Sequence, residues 1–147
     1  MTPGVESQVG THSVFVVEDD APVRGVLVEA LERSGLLTTG FGDGMSALTR
    51  LEEELPEVIL LDMRMPEMDG FEFLSRLRAN PAWVSIPVII VSGLGADLLK
   101  AIDAHSAESL GVAGIFAKPF DIPTLLRYVQ GVITRSPMLR SAEPTTL

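Results

Sequence analysis

The chain has 147 residues, a formal net charge of -9 and no cysteine. That length suits one domain with a short segment at each end, and the absence of cysteine excludes disulfides and thiolate metal sites. The acidic balance, with arginine and lysine scattered rather than clustered, argues against direct binding to nucleic acid. No apolar run approaches the length of a membrane span, and Met1 to Thr11 lacks the basic start and long apolar run of a secretory signal, so a cytoplasmic protein is expected.

Strand-like and helix-like segments alternate along the chain, the pattern of βαβ units around a parallel sheet. Residues 1–12 read as a disordered extension. Ser13 to Val17 is the first strand. Asp20-Ala21-Pro22 opens a helix, with aspartate as N-cap and proline in the first turn, and Ser34-Gly35 closes it. Leu36 to Phe41 is less apolar, as suits an edge strand. Gly42-Asp43-Gly44 turns into a helix through Glu54. Val58 to Leu61 is the third strand, and a loop from Met63 to Gly70 leads to a helix over Phe71 to Ala79. Val88 to Val91 is the fourth strand, with a helix after Ser92-Gly93 running to about Leu110. Gly114 to Ala117 is the fifth strand, and Asp121 to Thr134 the last helix. This gives five strands and five helices in a domain over 13–134, with 135–147 as a flexible tail or the start of a linker.

Four polar pieces each follow one of the apolar strands: Glu18-Asp19-Asp20, Asp62, Ser92 and Lys118-Pro119. Ligands bind an open parallel sheet at the carboxyl ends of its strands. The fold would therefore gather acids, a hydroxyl and an ammonium on one edge. Carboxylates brought together repel, and a hard cation such as Mg²⁺ relieves that repulsion while keeping coordination positions open for water and phosphate oxygens. Asp62, closing an apolar strand beside such an ion, has the character of a nucleophile able to form an aspartyl phosphate. Each piece has a plainer reading by itself. Asp19 and Asp20 could only cap a helix, Ser92-Gly93 could be turn chemistry, and Lys118 a solvated lysine. Four such pieces, all at strand ends and of complementary charge, favour the joint reading.

The segments Val16-Val17-Glu18-Asp19-Asp20, Leu61-Asp62-Met63-Arg64-Met65-Pro66-Glu67-Met68-Asp69-Gly70, Val91-Ser92-Gly93 and Lys118-Pro119-Phe120 resemble the receiver domain of two-component response regulators, over about Ser13 to Val132. The resemblance implies a flavodoxin-like, doubly wound five-stranded parallel sheet of order 2-1-3-4-5. It implies Asp62 as phosphoacceptor, and Mg²⁺ held by Glu18, Asp19, Asp62 and the backbone carbonyl of Arg64. Ser92 and Lys118 would contact the phosphoryl group. The implied partners are a sensor histidine kinase or phosphotransfer protein, and a second copy through the last two helices and fifth strand. Such a domain is not an enzyme beyond its own phosphorylation and dephosphorylation.

Two departures from the family pattern stand out. The position three before the lysine, usually aromatic, is Ile115, and the aromatic falls at Phe116, which strand alternation turns to the opposite side. The stretch from Ser92 to Lys118 is about one helical turn longer than usual, which points to a non-standard signalling face around Leu98, Leu99, Ile102 and His105. Met63, Met65 and Met68 have no histidine or cysteine beside them and read as packing, as does Trp83. Neither His12 nor His105 has the surroundings of a phosphohistidine donor. A Mg-dependent phosphohydrolase with an aspartyl nucleophile is the main alternative, but such enzymes place an acid two residues after the nucleophile, and here that residue is Arg64. A flavin module would need a Ser/Thr/Gly phosphate loop where Glu18-Asp19-Asp20 stands.

Overall fold

The computed structural model describes residues 12–93 and 110–135. Five strands form one parallel sheet: β1 (Ser13–Val17), β2 (Leu37–Phe41), β3 (Val58–Leu61), β4 (Val88–Ser92) and β5 (Val112–Ala117), in the order β2-β1-β3-β4-β5. The helices are α1 (Ala21–Arg33), α2 (Gly44–Leu51), α3 (Gly70–Ala79) and α4 (Ile122–Thr134). The described residues thus hold four helices rather than the five expected. The remaining one, placed between Ser92 and Leu110 and expected to share a dimer face with β5 and the last helix, falls on residues outside those described, as do the signalling face expected around Leu98, Leu99, Ile102 and His105 and residues 1–11 and 136–147.

Side chains alternate across the central strands and sort the core into two layers. Phe15, Val17, Ile59, Leu61, Val88 and Ile90 pack with Ala47, Leu48 and Leu51 of α2 and Phe73, Leu74 and Leu77 of α3. Val14, Val16, Val58, Leu60, Ile89 and Val91 pack with Leu27 and Leu31 of α1 and Leu125, Val129, Val132 and Ile133 of α4. Strands covered on both faces carry unbroken apolar sequence, which is why β1, β3 and β4 stand out in the sequence and the edge strand β2 does not.

Every one of these four helices begins at an aspartate. Asp20, Asp43, Asp69 and Asp121 accept from the backbone N–H of Val23, Ser46, Glu72 and Thr124 at 3.1, 2.7, 2.9 and 2.9 Å. These bonds satisfy N–H groups that a first turn leaves without a partner. α1 ends where Gly35 takes φ +95, the left-handed conformation that closes a helix.

Two boundaries differ from the sequence expectation by more than one residue. α2 stops at Leu51, three residues short, because the run Glu52-Glu53-Glu54 piles negative charge on the negative end of the helix dipole. The chain tightens there, with Glu52 N–H donating to Thr49 and Glu53 N–H to Arg50. β5 starts at Val112, two residues early, and Gly114 lies inside it. The pairing steps from Val88–Val112 to Ile89–Gly114, leaving Ala113 as an irregularity whose carbonyl accepts from the Tyr128 hydroxyl. Gly114 is needed because a Cβ there would lie 2.5 Å from the Tyr128 ring.

Candidate functional site

The register of the sheet brings the polar pieces together. Val17 pairs with Leu61, so Glu18 and Asp62 leave adjacent strands side by side, with Asp62 N–H donating to the Val17 carbonyl at 2.9 Å. Ser92 pairs with Ala117, and Lys118 N–H donates to the Ser92 carbonyl at 2.8 Å. The Lys118–Pro119 peptide is cis.

Glu18, Asp62 and Ser92 are all buried, while Asp19 faces solvent. A carboxylate oxygen from each of Glu18, Asp19 and Asp62 lies within 4.8 Å of the others. Lys118 Nζ is 2.8 Å from Glu18 Oε1 and 3.7 Å from Asp62 Oδ1. Glu18 Oε2 also accepts from the Asp20 N–H at 3.2 Å. The Arg64 amide donates to the Asp62 carboxylate, while the Arg64 side chain is exposed.

This arrangement is short of positive charge. Burial, followed by the adjacent Glu18 charge, pushes the Asp62 carboxyl up to about 6, against the opposing pull of Lys118 and the Arg64 amide. Burial works against the Lys118 ammonium, but its hydrogen bond to Glu18 and the two acid charges outweigh it and hold its pKa above the ordinary value. Three acids facing one ammonium, two of them buried and the third open to water, make an all-oxygen donor set with room for further ligands. That set fits Mg²⁺.

The family model of the response regulator receiver domain matches residues 14–130. The chain is a response regulator receiver domain. This receiver is 36% identical over 122 residues to the DNA-binding transcriptional regulator NtrC of Proteus hauseri, covering 83% of this chain and 24% of that protein. It is 34% identical over 112 residues to sporulation initiation phosphotransferase F of Bacillus subtilis, covering 76% and 85%. The receiver thus spans about a quarter of the NtrC relatives and most of the phosphotransferase. Among solved structures, the Francisella response regulator 1452 receiver domain superposes with a TM-score of 0.73 at 31% identity, covering 84% of this chain and 98% of that one. Chemotaxis response regulator CheY4 of Vibrio cholerae does so with 0.72 at 26% identity, covering 83% and 98%. Receiver domains are signalling modules that bind Mg²⁺ at an acidic pocket and work with histidine kinases and phosphotransfer proteins. No helix among the described residues is long and apolar enough to cross a membrane.

The methionines of the Met63–Gly70 loop are buried in the α2–α3 layer with Trp83, as packing. Ile115 packs on that layer, and Phe116 on the opposite one, edge-on to Tyr128 at 5.3 Å between ring centroids. His12 is paired with Glu57 at 2.7 Å. Two cations read from sequence as merely scattered prove to be built in. Arg24 donates to the Glu18 carbonyl at 2.7 Å. Arg78 donates to the carbonyls of Trp83, Val84, Ile86, Leu110 and Gly111.

Proposed function

We propose that Asp62 accepts a phosphoryl group from a phosphohistidine of a sensor histidine kinase or phosphotransfer protein, in a cytoplasmic domain occupying residues 13–134 between flanking segments 1–12 and 135–147. The observation that carries this reading is the buried Asp62 carboxylate, with Lys118 Nζ at 3.7 Å and two further acids around it. An Asp62 oxygen attacks phosphorus in line while the P–N bond to the imidazole breaks, and the ring keeps the electron pair. Lys118 balances charge on the equatorial oxygens, and the Ser92 hydroxyl donates to one of them. Glu18, Asp19, Asp62 and the Arg64 carbonyl would hold Mg²⁺, which when bound offsets the charge of the acids and of the transferred group.

The product carries about -1.5 to -2 of added charge at neutral pH, by analogy with other phosphorylated side chains. That charge draws Lys118 and Ser92 toward it and biases the chain beyond them between two arrangements. Water attack on phosphorus then releases inorganic phosphate and restores Asp62, so the domain acts only on itself. A homodimer through β5 and its neighbouring helices belongs to the same reading.

A protein donor must cover the surface next to Lys118. An apolar groove of about 580 Å³ lies there, lined by Pro22, Val23, Val26, Lys118, Pro119, Phe120 and Ile122, and it suits the side of a helix carrying the histidine. The test of the phosphoacceptor is Asp62→Asn treated with acetyl phosphate and Mg²⁺, followed by intact mass. The wild type gains a phosphoryl group and the variant does not; an undiminished adduct on the variant overturns the assignment.

A further inference from the structure

We propose that Arg24 is the positioning residue for the acidic turn, gripping the Glu18 main chain through a slot that Gly40 and Gly42 leave open. The inference rests on the reading of Glu18, Asp19 and Asp62 as the Mg²⁺-holding acids.

Arg24 lies one turn into α1, its N–H donating to the Asp20 carbonyl at 2.8 Å. Its side chain runs back across the carboxyl end of the sheet, and Nη1 donates to the Glu18 carbonyl at 2.7 Å. That carbonyl is the first beyond β1, where strand pairing has ended. The Glu18 N–H donates to Phe41 of β2 at 2.9 Å. The Glu18 peptide groups are therefore held from both sides, one by the neighbouring strand and one by Arg24. The residue so held is an acid of the cluster, and Asp19 follows directly. Groups that hold metal-binding side chains in place commonly change metal affinity about 10- to 100-fold when removed.

The two glycines of β2 and its exit explain how Arg24 reaches this position. A Cβ at Gly40 would come 3.1 Å from Arg24 Cγ and 3.2 Å from Cδ, with Val28 Cγ2 also at 3.1 Å. A Cβ at Gly42 would come 3.2 Å from Arg24 Nη1. Neither glycine has a positive φ, so backbone conformation does not demand them. Glycine inside a strand marks a close approach by another group, and here that group is the arginine stem.

The experiment is Mg²⁺ titration by isothermal calorimetry on wild type, Arg24→Ala, Arg24→Lys, Gly42→Ala and the Arg24→Ala/Gly42→Ala pair, with thermal unfolding in EDTA as the check of folding. The expected results are Mg²⁺ binding weakened about tenfold in Arg24→Ala, part of it recovered in Arg24→Lys, which keeps a donor, and a smaller loss in Gly42→Ala. Because Gly42→Ala acts by displacing Arg24, it adds nothing in the Arg24→Ala background. Gly42→Ala and Arg24→Lys keep the question answerable if Arg24→Ala does not fold. Affinity within twofold of wild type in Arg24→Ala, or tighter binding from loss of a repelling cation, overturns the inference while leaving the receiver site intact. A wild type that binds no Mg²⁺ overturns the reading of the acids on which the inference rests.

Discussion

Replacing Asp62 by asparagine should stabilise the metal-free protein. The Asp62 carboxyl, ordinarily near 3.8, stands at about 6 in the folded chain because burial and the Glu18 charge disfavour its ionised form. A carboxyl raised by folding costs stability once it must ionise. The cost is nil well below pH 3.8, grows between 3.8 and about 6, and is complete above that. The full difference is on the order of 3 kcal/mol, of which roughly half is already present near pH 5. Asparagine keeps the shape and an acceptor for the Arg64 amide, and Lys118 keeps its 2.8 Å partner Glu18. Urea unfolding in EDTA, followed by the buried Trp83, should show Asp62→Asn more stable by up to about 3 kcal/mol near pH 7.5 and by about half that near pH 5. Added Mg²⁺ should narrow the gap by stabilising the wild type. A variant no more stable than wild type in EDTA, or a gain of equal size at both pH values, would refute the reasoning.

Arg78 takes carbonyl acceptors from the α3–β4 connection and from Leu110-Gly111, and burial lowers its pKa. Arg78→Met leaves several of those carbonyls without a partner and should cost about 3 kcal/mol or more in urea unfolding, with Mg²⁺ affinity unchanged; a loss under about 1 kcal/mol would show that water replaces the guanidinium at little cost. Val26 is 56% exposed in the groove beside Lys118. Val26→Asp should slow phosphoryl transfer from a histidine kinase or phosphotransfer protein about tenfold, by spoiling apolar contact, and leave labelling by acetyl phosphate as it was. Equal loss with both donors would remove the groove as a docking face.

Much of the architecture is written locally. β1, β3 and β4 are unbroken apolar runs because both their faces are covered, and Asp20, Asp43, Asp69 and Asp121 announce helix starts by chemistry confined to three residues. The meeting of Glu18, Asp19, Asp62 and Lys118 follows from strand order and register alone. What local pattern could not give was anything decided by a distant side chain. Gly114 reads as the first residue of the fifth strand, and only Tyr128 packed against it shows why a glycine stands inside that strand. Arg24 and Arg78 are ordinary surface cations in sequence, because their acceptors are main-chain carbonyls that leave no compositional trace. The one signal that could have exposed Arg24 is the pair of glycines flanking Phe41, where a strand has reason to avoid them.

The edge-on seating of Phe116 against Tyr128 bears on how a signal leaves the site. Ile115, on the other side of β5, offers no flat ring to pivot between outward and inward poses. Phe116 instead lies against Tyr128 of α4, so the ring of this strand ties β5 to the helix that covers it.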